Sequence, residues 1–139
     1  MPGKTRFTVS DVRAMVVEMR LLIGQRAANV YDLNDKTYLI KFAVPGEAEK
    51  PILLIESGVR FHLTKYARDK NEMPSPFTMK LRKNIRTKRL EDVKQLASDR
   101  VVDFKFGSGE ATIHIILELY GTHYSLRCAE ISMKLPAFY

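Results

Sequence analysis

Residues 101–120 read VVDFKFGSGEATIHIILELY. Val101, Asp103 and Lys105 alternate with Val102, Phe104 and Phe106, the two-residue period of a strand with one buried face. Gly107-Ser108-Gly109-Glu110 follows as a turn, because glycine reaches backbone angles closed to other residues and serine bonds locally. Ala111 to Tyr120 then runs back as a long strand. Strand, short turn and returning strand make an antiparallel pair.

The same grammar recurs upstream. Val30–Leu33 and Thr37–Val44 flank Asn34-Asp35-Lys36 as a hairpin, and Ile52–Glu56 and Val59–Thr64 flank Ser57-Gly58. Pro45 to Pro51 is a polar loop. Two helices interrupt the strands. Thr8-Val9-Ser10-Asp11 opens the first with a hydroxyl cap and an acid three residues later. Val12, Met15, Val16, Met19, Leu22 and Ile23 then recur at helical spacing, and Gly24 suits a left-handed stop. Ser75-Pro76 opens the second helix with a cap and a proline at the first helical position. Phe77, Leu81 and Ile85 form its apolar stripe. Helix, four strands, basic helix and at least two strands give an α+β fold with mainly antiparallel pairing. Tyr124 to Ile131 allows one more strand.

Composition sets the outer bounds. The 139 residues are 45% apolar and 28% charged, with 7 Gly, 6 Pro and one Cys. That is ordinary globular usage for one domain or part of one. A single cysteine makes no internal disulfide and argues for a reducing compartment. No apolar run at the start suits a signal peptide, and the longest stretches, such as Ile52 to Ile55, are far shorter than the ~20 residues of a membrane span. Secreted, disordered and transmembrane classes are disfavoured.

The net charge of +7 is concentrated. Lys80, Arg82, Lys83, Arg86, Lys88 and Arg89 lie within ten residues that include no acid, leaving +1 for the rest of the chain. A solvated helix face is the plain explanation. Crowded like charges repel, however, and a phosphate backbone relieves them, with Arg forking onto two oxygens and Lys acting as a mobile charge. Nucleic acid is the expected partner, ahead of membrane.

Other chemistry is sparse. His62, His114, His123 and Cys128 show no metal-ligand spacing. Neither GxGxxG nor GxxxxGK[ST] occurs, and no nucleophile-base set is visible. No cofactor is expected. His114, amid Thr112, Ile113, Ile115 and Ile116, reads as a structural or surface histidine. Asp99-Arg100 reads as turn chemistry and Asp11 as a helix-start acid.

Several ordered segments together resemble a known family. They are Arg6-Phe7 with Asp11-Val12-Arg13-Ala14, Asn29-Val30-Tyr31-Asp32, Lys36 to Ile40, and Leu53 to His62, followed by Met73 to Lys83 and Asp99 to Gly107. Over roughly Thr5 to Tyr120 they resemble the NFACT N-terminal domain of the nuclear export mediator factor and ribosome quality control family. The resemblance implies a β-sandwich with flanking helices, similar to the N-terminal domain of formamidopyrimidine-type DNA glycosylases. It also implies binding to obstructed large ribosomal subunits and their peptidyl-tRNA, recruitment of an E3 ubiquitin ligase, and untemplated tailing of stalled chains; the expected compartment is the cytoplasm, with the nucleus as the alternative. By motif position, Asp11, Asp99 and Arg100 fall on residues tied to tRNA-dependent tailing.

The resemblance has two limits. The helix-hairpin-helix, coiled-coil and further RNA-binding modules of the family have no counterpart in these residues. After Tyr120 the likeness stops, so residues 1–120 are expected to form a partial NFACT N-terminal domain and residues 121–139 a divergent tail. The alternative function is a truncated isoform without ribosome binding that acts as a protein-interaction fragment. Enzyme activity is not expected. The related glycosylases use an N-terminal proline followed by Glu, whereas Pro2 is followed here by Gly3.

Overall fold

The computed structural model describes residues 8–33, 37–46, 50–56, 60–64, 74–96, 100–119 and 124–130. The expected α+β class with antiparallel pairing is what these residues form. Helix α1 (Val9–Met19) is followed by a 3-10 turn, Arg20–Leu22. Strands β1 (Arg26–Asp32), β2 (Thr37–Ala43), β3 (Ile52–Glu56) and β4 (Arg60–Thr64) then make one sheet. Helix α2 (Pro76–Ile85) leads into β5 (Leu90–Gln95), β6 (Val101–Phe106), β7 (Ile113–Leu119) and β8 (Tyr124–Glu130), the second sheet. Strand order within each sheet follows the sequence, and every pairing is antiparallel.

The inner faces of the two sheets pack on one another. Phe42 stacks on Phe106 with centroids 6.3 Å apart, and Phe61 meets Phe104 edge to face at 5.7 Å. One core joins these rings to Val12, Val16 and Met19 of α1 and to Leu81 and Ile85 of α2. On the outer face of the second sheet, His114 Nδ1 lies 2.7 Å from Asp103 Oδ1, a structural use of that histidine. No helix among the described residues is long and apolar enough to cross a membrane.

Three departures from expectation have identifiable causes. Strand β1 starts at Arg26, four residues before the alternation begins, because a bulge between Ala27 and Asn29 shifts its register. Strand β5 is absent from the sequence reading. Its bulge between Leu90 and Asp92 places buried Leu90 and Val93 three apart, a spacing that does not alternate. Strand β7 starts at Ile113 because Gly109–Ala111 forms a 3-10 turn. The extra strand allowed at Tyr124 to Ile131 is present as β8 and pairs with β7 over seven residues, Tyr124 to Glu130. Residues 131–139 lie outside the described residues.

The two sheets are hydrogen-bonded to each other at one edge. Ala27 N–H donates to Lys88 O (2.9 Å), Thr87 N–H to Ala27 O (2.8 Å) and Leu90 N–H to Gln25 O (2.9 Å). This clasp holds Thr87 at φ 71°, in the left-handed region. A β-branched residue there is strained by about 1–3 kcal/mol. Thr87→Gly is therefore expected to raise stability by roughly 0.5–1 kcal/mol, the relieved strain less the added chain entropy of glycine. Thr87→Ala keeps the strain and should gain little. Thermal melts of both variants check this, and a Gly variant melting below the parent contradicts it.

Candidate nucleic-acid interface

Helix α2 is set by its first turn. Ser75 Oγ accepts the Thr78 N–H at 3.1 Å, and the Ser75 N–H donates to Asp32 Oδ2 on β1 at 3.2 Å. Pro76 follows at the first helical position. Leu81 and Ile85 are buried as the stripe predicts, and Phe77 packs edge-on against Tyr38 at 5.4 Å. Thr78 is fully buried as well, its Oγ1 3.0 Å from Ser75 Oγ. The apolar stripe gave no sign of it.

The six cations do not share one helix. Lys80, Arg82 and Lys83 are in α2, Arg86 is its C-terminal cap, and Lys88 and Arg89 lie beyond it. The expected basic helix is thus a helix and a turn. Arg86 N–H closes the last helical turn on Arg82 O (3.1 Å) and Lys88 N–H turns back to Ile85 O (2.9 Å), while the clasp to β1 takes the Thr87 N–H and the Lys88 carbonyl.

Their tasks divide as well. The Arg82 guanidinium donates twice to Val30 O, at 3.2 and 2.7 Å, and lies 5.7 Å from the centre of the Tyr31 ring. Lys88 Nζ donates to Ala111 O at 2.6 Å. These two cations tie α2 and the turn to the sandwich. Lys83 and Arg86 are exposed, and with Met79, Arg82 and Thr87 they line an open groove of about 480 Å³. Met79, half exposed, adds an apolar flank against which a base can rest. A cationic groove of this kind attracts a polyanion such as a phosphate backbone.

Asp11 and Arg100 sit elsewhere. Asp11 completes the capping box of α1. Its Oδ2 accepts the Thr8 N–H at 2.9 Å, and its own N–H donates to Thr8 Oγ1 at 3.2 Å. Arg100 precedes β6, and its carbonyl accepts the Leu119 N–H at 2.8 Å. Gln95 Nε2 reaches Val9 O at 3.4 Å, which brings the start of α1 to the end of β5. Asp99 lies outside the described residues. The basic turn enters β5 and the segment bearing Arg100 leaves it, so this six-residue strand separates them by roughly 17 Å at strand rise. Among the described residues, the basic turn and Arg100 thus lie at opposite ends of β5.

Among the described residues, no group of three or more His, Cys, Asp or Glu is placed to hold a metal ion.

Comparison with known proteins identifies the fold's kin. The family model for NFACT N-terminal and middle domains matches residues 8–126. The chain belongs to the NFACT family. It is 52% identical over 117 residues to the ribosome quality control complex subunit NEMF homolog of Drosophila melanogaster, covering 84% of this chain and 12% of that protein. It is 50% identical over 118 residues to human ribosome quality control complex subunit NEMF, covering 84% of this chain and 11% of that protein. The NFACT segment here thus spans about a tenth of those relatives' length. The N-terminal domain of the fibronectin-binding protein PavA from Streptococcus pneumoniae superposes with a TM-score of 0.81 at 21% identity, over 90% of this chain and 50% of that one. At that identity the match shows the NFACT fold alone.

Proposed function

We propose that the chain serves ribosome-associated quality control as an RNA-contacting domain. In this reading it docks in the cytoplasm on obstructed large ribosomal subunits and handles their tRNA during untemplated tailing. The observation that carries the proposal is the exposed pair Lys83 and Arg86 beside a groove, in a chain half identical to named quality-control subunits. Binding, not catalysis, is its work, and E3 ligase recruitment falls to the larger assembly. The test is co-sedimentation with large subunits carrying peptidyl-tRNA. The domain should travel with them at about 50 mM salt and be released by about 200 mM, as counterion release dictates. A protein that stays at the top of the gradient at both salts overturns the proposal.

The tailing role of Asp11 is separable from its capping role. As a first-turn acid it contributes roughly 0.3–1 kcal/mol, and Asn keeps an oxygen acceptor at that place. Asp11→Asn, placed at the matching position of a full-length relative, is expected to abolish tailing while the isolated domain melts within a few degrees of the parent. A lowered melting temperature with normal tailing would leave Asp11 as a cap only.

A further inference from the structure

Arg26 and Arg89 face each other across an isolated antiparallel bridge at the edge where the two sheets meet. Like charges placed directly opposite across paired strands are destabilising, and an anion between them reverses the sign of that interaction. Arg26 is already oriented, since its Nη1 donates to Thr87 O at 2.7 Å. Together with Lys50, from the loop between β2 and β3, the two arginines line a cavity of about 300 Å³ walled by Gly24, Val44 and Pro45. None of the described residues lining it is acidic. Glu47 and Glu49 of the same loop lie outside the described residues. Three basic residues from positions 26, 50 and 89 therefore line one concavity, although only Arg89 belongs to the basic run of the sequence.

We propose that this cavity binds a phosphate group, supplied by the backbone of RNA. The inference rests on the RNA-contact reading above and extends it to a second subsite. Two guanidinium forks take the non-bridging oxygens of a phosphodiester, and the Lys50 ammonium follows as a mobile charge. The cavity and the groove beside Lys83 and Arg86 flank the same turn, residues 86–89. An RNA backbone running along that turn meets both.

The test compares three forms of the 139-residue protein: the parent, Lys50→Gln with Arg89→Gln, and Lys83→Gln with Arg86→Gln. Lys50→Gln with Arg89→Gln leaves the Arg26–Thr87 bond in place, and Lys50→Gln alone serves as a milder variant away from the clasp. The probes are a short fluorescent single-stranded RNA, and inorganic phosphate against chloride at matched ionic strength in a thermal melt. Loss of one phosphate contact should weaken RNA binding about fivefold at ~0.1 M salt and lower the log–log salt slope by about 0.7. Phosphate should raise the melting temperature of the parent and not that of Lys50→Gln with Arg89→Gln. If that variant binds RNA as the parent does while Lys83→Gln with Arg86→Gln loses binding, the cavity proposal is overturned and the groove reading stands. If the parent binds no RNA yet is protected by phosphate through Lys50 and Arg89, the cavity is a site for a free phosphate and the RNA reading fails. Indifference of the parent to both probes overturns both.

Discussion

Phe104→Ala is expected to destabilise the domain by about 3–5 kcal/mol. Phe104 is 1% exposed on β6 and meets Phe61 of β4 edge to face, at an interplanar angle of 87°. The alanine would strip apolar contact from both sheets and leave a cavity where they pack. Domains of this size hold only about 5–15 kcal/mol in total, so the loss is a large share. The melting temperature should fall by roughly 10–20 °C. Phe104→Leu fills much of the space and should fall by a smaller amount. A Phe104→Ala domain that melts within two or three degrees (~1 kcal/mol) of the parent would mean that the sheets do not pack at this ring.

Reversing Lys83 and Arg86 to Glu should produce the largest loss of RNA binding. Both side chains are exposed beside the groove. Losing two phosphate contacts lowers the salt slope by about 1.4 and weakens binding roughly 25-fold at ~0.1 M salt. Arg82 is left alone for a physical reason. Its guanidinium holds Val30 O, and removing it would strand a part-buried acceptor and confound binding with folding. Equal affinity and slope in a variant with native circular dichroism would remove the groove from the RNA interface.

The elements visible in the sequence were those whose local chemistry is self-contained. Thr8 with Asp11 and Ser75 with Pro76 carry their helix starts in four residues or fewer, and both caps form as read. Strands with clean alternation, such as Val101 to Phe106, were likewise legible. Strand β5 was not, because one bulged residue converts a two-residue period into a three-residue one. The end of the basic helix was hidden for a different reason. No residue type in Ile85-Arg86-Thr87-Lys88 announces a stop, and β1, some sixty positions earlier, takes the Thr87 N–H and the Lys88 carbonyl where the helix ends. The candidate site was legible as a run of charge but not as a division of labour. That Arg82 and Lys88 are anchors, and that Arg26 and Lys50 join Arg89, depends on contacts between distant segments.

The seam between the sheets has a consequence for the order in which the molecule assembles. Arg26 is 17 residues from its hairpin partner Ala43 but 63 from Arg89 across the seam. Closing the longer loop costs about 1 kcal/mol more in chain entropy, and contacts of long sequence separation slow folding. Each sheet is therefore expected to zip up from its own neighbouring strands before the seam shuts. Every strand-to-strand pairing inside a sheet survives if the seam parts, yet the opposition of Arg26 and Arg89 does not. In a chain emerging from synthesis the phosphate cradle would be the last part completed, and its occupancy by an anion would register that both halves have docked.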